Sequence, residues 1–277
     1  MKLFLYRFFL NQTNQLSFLP NSKGSDSRRK LLQDVFIKQY HFQHGRAELG
    51  YIGERNEDNM VFAKFGRRTT QAVIHPPENH FKREIEETWP HANVFIRLDP
   101  DPNTGQVIAV EHEPKAFYKP LSSLEALANK INETLSCEGY FLSIHPVTTE
   151  QDFWGLVDKG KDEIEKVSFS FSAPNLLNLE GALTDDLKKL KAEYNATETS
   201  LSIANPTGRL KIPKTSKFVS EGVEYVIKGG GEYKLKVKGQ WHRSTDKCKY
   251  KTFDVTVDLK TTDKNTFITT LKDLTKL

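Results

Sequence analysis

Along residues 165–172 and 232–238 polar and apolar side chains alternate with a period of two, as an extended strand requires, because successive side chains leave opposite faces. In the first run Val167, Phe169 and Phe171 share a face. In the second, Tyr233, Leu235 and Val237 point one way and Lys234, Lys236 and Lys238 the other, which predicts one core face and one cationic face. Other segments carry a three-to-four spacing instead. Leu31, Leu32, Val35, Phe36 and Tyr40 predict a helix after the Gly/Ser-rich loop at 21–26. Leu124, Leu127, Ala128, Ile131 and Leu135 predict a second helix over 122–135.

Two hairpins stand between those helices. One joins 49–53 to 60–65 through the polar turn Arg55–Asn59, and the other joins 93–98 to 106–110. The second turn, Asp99–Gly105, has prolines to fix φ and a glycine that tolerates positive φ. A short helical stretch is predicted over 81–88. After the 122–135 helix the pattern reads strand (139–145), helix (148–158), strand (165–172), helix (180–194) and strand (198–203). Met1–Leu10 reads as a buried strand rather than a secretion signal, since Arg7 interrupts its apolar run and no small-residue cleavage site follows.

Beyond Asn205-Pro-Thr-Gly208 the helical periodicity disappears until the end of the chain. Strand-like runs occupy 224–228, 232–238 and 250–259, and a closing helix with Phe267, Ile268, Leu271 and Leu274 on one face docks back onto the body. The order predicts an α+β fold with helices mainly on one side of the sheet. It divides into a mixed α/β body with antiparallel hairpins over 1–205 and a mainly β lobe ending in a helix over 206–277. A length of 277 residues fits two such units, because single cores stop growing at about 250–300 residues.

Charge separates the same two stretches. Residues 206–277 hold 16 Lys/Arg against 8 Asp/Glu, while residues 1–205 hold 24 against 28. The two cysteines, Cys137 and Cys248, are far apart and form no zinc or disulfide framework, which suits a reducing cytoplasm. No apolar run is long enough to predict membrane insertion.

The basic stretch gathers Lys228, Lys234, Lys236, Lys238, Arg243, Lys247, Lys249 and Lys251, with Tyr233, Trp241, Tyr250 and Phe253 interleaved. Phosphates need cations and exposed bases stack on aromatic rings, so this composition points to a nucleic-acid partner. Lysine outnumbers arginine, the residue that reads guanine edges, so contact with the backbone and no sequence preference is expected. Neutralising about five phosphates would give log K against log[salt] a slope near −4 to −5 on duplex DNA. The competing reading is a lysine face that keeps a strand edge from aggregating. Gly229–Gly231 lacks the context of a phosphate-binding loop and reads as a bend between strands.

A second constellation, Pro100-Asp101 followed by Glu113-Pro-Lys115, has the order of a PD-(D/E)xK nuclease. There Asp101 and Glu113 would hold magnesium and Lys115 would help activate water, although Pro114 interrupts the strand the triplet needs. No cofactor is expected outside that alternative. The eight histidines form no ligand pair with metal-binding spacing. A third alternative is a protein-interaction subunit that recruits a partner at an exposed strand edge.

The hairpins Tyr51–Phe65 and Val94–Val110, then Tyr140–Pro146, Phe153-Trp154 and Val167–Asn175, resemble in pattern the RexA-like and KwaB-like phage-defence proteins of bacteria and prophages. The resemblance covers roughly residues 47–205. It implies a homodimeric DNA-binding protein of antiviral defence or phage exclusion that senses or blocks phage DNA without cutting it, with a defence-system partner protein. It supplies no catalytic residue, so the candidate site rests on the cations and Trp241.

Overall fold

The computed structural model describes residues 1–12, 25–98, 106–172, 182–194, 196, 198–246, 250–252, 269 and 272–273. In chain order the elements are β1 (Lys2–Gln12), α1 (Ser25–Phe36), β2 (Gln39–His44), β3 (Ala47–Glu57), β4 (Met60–Arg67), β5 (Thr69–Ile74), β6 (Arg83–Thr88), β7 (His91–Arg97) and β8 (Val107–Glu111). Then come α2 (Leu121–Leu135), β9 (Tyr140–Pro146), α3 (Glu150–Gly160), β10 (Ile164–Ser172), α4 (Ala182–Tyr194), β11 (Glu198–Ala204), α5 (Lys217–Ile227), β12 (Gly231–Val237), β13 (Gln240–Arg243) and β14 (Tyr250–Thr252). The fold is α+β, with antiparallel sheets throughout.

The first sheet runs β14-β1-β8-β7-β4-β3-β2 and contains both predicted hairpins. β1 is central: Leu3–Arg7 pair with β8 on one edge, while the other edge pairs first with β14 and then with β9. Both faces are apolar because both are covered. Tyr6, Phe8, Val61 and Phe65 pack with Leu32 and Phe36 of α1 and Leu124, Leu127 and Ile131 of α2. The opposite face gathers Leu3, Leu5, Met60, Phe62 and Phe95. Residues 269, 272 and 273 are helical, and Arg97 Nη1 donates to the Lys272 carbonyl at 3.0 Å.

The second sheet runs β11-β10-β12-β13. Its inner face, Val167, Phe169, Phe171, Tyr233 and Leu235, packs on Phe153 of α3, Leu187 of α4 and Val219, Val223 and Val226 of α5. The helices all lie on that side, as expected of an α+β layer. This sheet crosses the predicted boundary at 205. β12 pairs with β10 from Ile164 to Phe171, so the lysine strand belongs to a sheet two of whose strands, β10 and β11, precede residue 205, and the second core spans Phe153 to Leu235.

Two local readings are corrected. Residues 83–88 form β6, paired with β5 from Thr69↔Thr88 to Ile74↔Arg83, and not a helix. Arg83, Ile85 and Glu87 face one way there, a period of two. Residues 224–228 end α5 rather than forming a strand. Its Ser216 cap accepts from Val219 N, and Val219, Val223 and Val226 form a helical stripe that β-branched composition disguises. Gly229–Gly231 therefore joins a helix to a strand. At Gly229 φ is +82° and a Cβ would lie 2.7 Å from Arg7 Cβ, so only glycine lets this loop close over β1. Among the described residues no helix is long and apolar enough to cross a membrane.

Candidate nucleic-acid interface

Antiparallel pairing places directly opposed residues on the same face. Lys236 lies between Lys166 of β10 and Trp241 of β13, which makes one row across three strands. In the next row Lys234 lies between Ser168 and Arg243, and Ser168 meets Ser202 of β11 at 2.8 Å. Glu232 and Ser170 follow, with Ser170 bonded to Ser200 at 3.0 Å. The face turned away from the helices is thus cationic at one end, with a ladder of hydroxyls beside it. Trp241 is 44% exposed on it.

Each lysine of the stripe is held by a carboxylate. Lys234 Nζ donates to Glu232 Oε1 at 2.6 Å, Lys236 pairs with Glu165, and Lys238 Nζ reaches Glu163 Oε2 at 2.8 Å. The Lys236 hydrogen bond, followed by one from the Gly239 N–H at 2.6 Å, holds the Glu165 carboxyl below the usual carboxylate range. At the stripe itself five cations (Lys166, Lys234, Lys236, Lys238 and Arg243) stand against three carboxylates (Glu163, Glu165 and Glu232), leaving a formal excess of two there, with Glu198 further along the same face opposite Ser172. The bare stripe that the sequence suggests is therefore mostly neutralised.

The remaining predicted residues separate. Lys238 is not on the strand: with φ +50°, and Gly239 at +76°, it forms the two-residue turn between β12 and β13, a conformation that twists with the hairpin. Lys228 caps α5 and bonds Glu224 at 2.7 Å. Lys251 lies in β14, opposite Leu3 in the first sheet. Lys247 and Lys249 lie outside the described residues. Lys166 joins the face although charge counting in the C-terminal stretch misses it. Its parity with Ser168 and Ser170 was readable, but its adjacency to Lys236 was not.

Where the end of β10 meets β9 and β1 of the first sheet, polar groups are enclosed. His145 of β9 meets Ser172 Oγ at 3.1 Å through Nε2, and burial lowers its pKa to about 4. Beside it in the register is Arg7, whose guanidinium pKa burial lowers to about 10 and whose Nε has no hydrogen-bond partner among the described residues. Tyr225 donates its hydroxyl to the Ser172 carbonyl at 2.6 Å. A neutral imidazole beside a serine has the composition of a nucleophilic dyad, but Ser172 sits on a regular strand and not on a sharp exposed turn.

In the nuclease constellation, Asp101 lies outside the described residues. Glu113 and Lys115 sit in a turn after β8, where Glu113 Oε1 accepts from Lys115 N at 3.1 Å. The triplet is thus tied into local turn structure and is not displayed along a strand. Among the described residues, no three His, Cys, Asp or Glu side chains are grouped to hold a metal ion. Compared with known proteins, the chain matches no protein-family model, no curated protein and no solved structure.

Proposed function

We propose that this is a non-enzymatic protein that holds a nucleic-acid backbone, without sequence preference, on the outer face of its second sheet. The observation that carries the reading is the convergence of Lys166, Lys236 and Trp241 in one row and Lys234 and Arg243 in the next, from three separate strands. Cations there meet phosphates, and Trp241 offers a ring on which a base stacks. The excess of two charges makes this a weak, salt-sensitive surface and not a strong anchor. A role in antiviral defence or phage exclusion, with a defence-system partner, follows from the resemblance in pattern alone, and a cytoplasmic location from the cysteine usage. A fluorescence-anisotropy titration of DNA oligonucleotides against Lys166→Glu/Lys234→Glu/Lys236→Glu tests it: binding should vanish, and unchanged binding would overturn the assignment.

A homodimer is the second part of the reading. β5 and β6 form a separate two-stranded sheet, and such pairs have little stability alone. Ile74 and Ile85 on one of its faces are 67% and 74% exposed. Along β6 that face reads Arg83, Ile85, Glu87, so a two-fold axis through Ile85 sets Arg83 of one copy over Glu87 of the other. Sedimentation analysis of Ile74→Ser/Ile85→Ser tests it; a dimer that survives this variant would remove the arm as its interface.

A further inference from the structure

A cleft of about 840 Å³ opens where β1, the segment leading into α2 and the second sheet's helical layer meet. Its volume is that of a small-molecule site, and it lies at a junction between two packed units, where such sites concentrate. Its walls differ in chemistry. β1 contributes Phe4, whose ring meets His112 edge-on at 5.2 Å, and Lys2, whose Nζ lies 5.4 Å above the same ring. The segment before α2 contributes Tyr118, 75% exposed, and Lys119. These two walls are therefore aromatic and cationic.

Three acids also line it, beside the hydroxyls of Ser122, Thr149 and Thr245. Asp152 comes from the first turn of α3, Asp246 from the turn after β13, and Glu125 from α2. Burial first, and then the charge of Glu232, raises the Glu125 pKa. Asp246 Oδ2 accepts from the Arg243 N–H at 2.9 Å, and Glu125 lies within electrostatic reach of Glu232, the partner of Lys234. The cleft thus begins where the cationic rows of the second sheet end.

We propose that this cleft receives one unstacked nucleotide, its base against Phe4 and Tyr118, its phosphate at Lys2 and Lys119, and the base's exocyclic amine toward Glu125, Asp152 and Asp246. Rings of this kind stack on any base face, whereas carboxylates accept only from a donor. Adenine, cytosine and guanine carry an exocyclic amine with two N–H donors, whereas thymine offers only its single imide N–H, so the cleft favours the amine-bearing bases. A strand lying on the lysine face would deliver its end here, and to that extent the inference rests on the function proposed above. A free mononucleotide shares the chemistry.

Isothermal titration calorimetry of the full chain with AMP, CMP, GMP, TMP and ribose 5-phosphate tests it. The amine-bearing nucleotides should bind, and TMP and ribose 5-phosphate should bind about tenfold more weakly, a loss that Tyr118→Ser should reproduce for AMP. Tighter binding of a single-stranded oligonucleotide than of AMP, abolished by Tyr118→Ser, identifies a strand end as the ligand, and equal binding identifies the free nucleotide. AMP heats no larger than those of ribose 5-phosphate, in protein that still binds oligonucleotides, would overturn the cleft and leave the sheet face standing. AMP binding in protein that binds no oligonucleotide would do the reverse.

Discussion

Neutralising three carboxylates on the second sheet should strengthen nucleic-acid binding more than any added lysine. In Glu163→Gln/Glu165→Gln/Glu232→Gln the partners of Lys238, Lys236 and Lys234 lose their charge while keeping an amide oxygen for the existing donors. The formal excess at the stripe rises from two to five. With a slope of about −0.9 per neutralised phosphate, log K against log[salt] on duplex DNA should steepen from about −2 to about −4.5. An increase in salt of about fourfold should then weaken the parent about tenfold and the variant about five-hundredfold. The fold should survive, because the pairs are partly exposed and such pairs contribute at most about 1 kcal/mol each. Fluorescence anisotropy of a labelled duplex over a salt series measures both slopes. Equal slopes would refute the claim that these lysines are the phosphate contacts and that the carboxylates restrain them.

Acid should free Lys236 late, since Glu165 is held below the usual carboxylate range by Lys236 and then by the Gly239 N–H; the part of any tightening at constant salt that Glu165→Gln removes should appear only as pH falls below that range. His145 has its pKa lowered to about 4 by burial, so the unfolded chain binds a proton that the folded chain refuses between about pH 6.5 and 4. Its contribution to stability is full above that window and is lost as pH falls through it, by up to roughly 3 kcal/mol, so urea midpoints should drop there and His145→Gln should flatten the drop. Asn132 bridges α2 to the edge of β9 that no strand pairs among the described residues, donating to the Leu142 carbonyl at 2.9 Å and accepting from its N–H at 2.7 Å. Asn132→Ala strands both backbone groups and should cost about 2–3 kcal/mol in chemical denaturation; a loss below about half that would mean the edge finds other partners. Gly230→Ala would place a Cβ 2.1 Å from the Tyr225 ring, and should lower the thermal midpoint by several degrees, by overpacking of about 1–3 kcal/mol.

The hairpins, the β1 strand and the helices α1 to α4 were all legible because their signals are local: a turn with proline and glycine, or apolar residues repeating every two or every three to four positions. The failures were local ambiguities. In α5, Val219, Val223 and Val226 are strand-formers by propensity, and only their packing on Phe169 and Tyr233 holds them in a helix. In β6, Glu-rich composition suggests a helix, but Thr69–Ile74 provides the pairing partner that decides for a strand. The cleft had no signal at all, since its walls come from residues as far apart as Lys2 and Asp246.

The lysine strand shows where local information ends. Alternation along 232–238 is a property of each residue and the next, so the chain alone dictates that Lys234 and Lys236 leave the core together. Which strands lie beside them depends instead on burying Val167, Phe169 and Tyr233 under one helical layer, a choice made across some 70 residues of sequence. That choice brings Lys166, Arg243 and Trp241 to the same face, and with them Glu163 and Glu165, which cancel most of the charge. Charge content is additive along a chain, but a surface potential depends on distance, and distance is set only when the sheet closes.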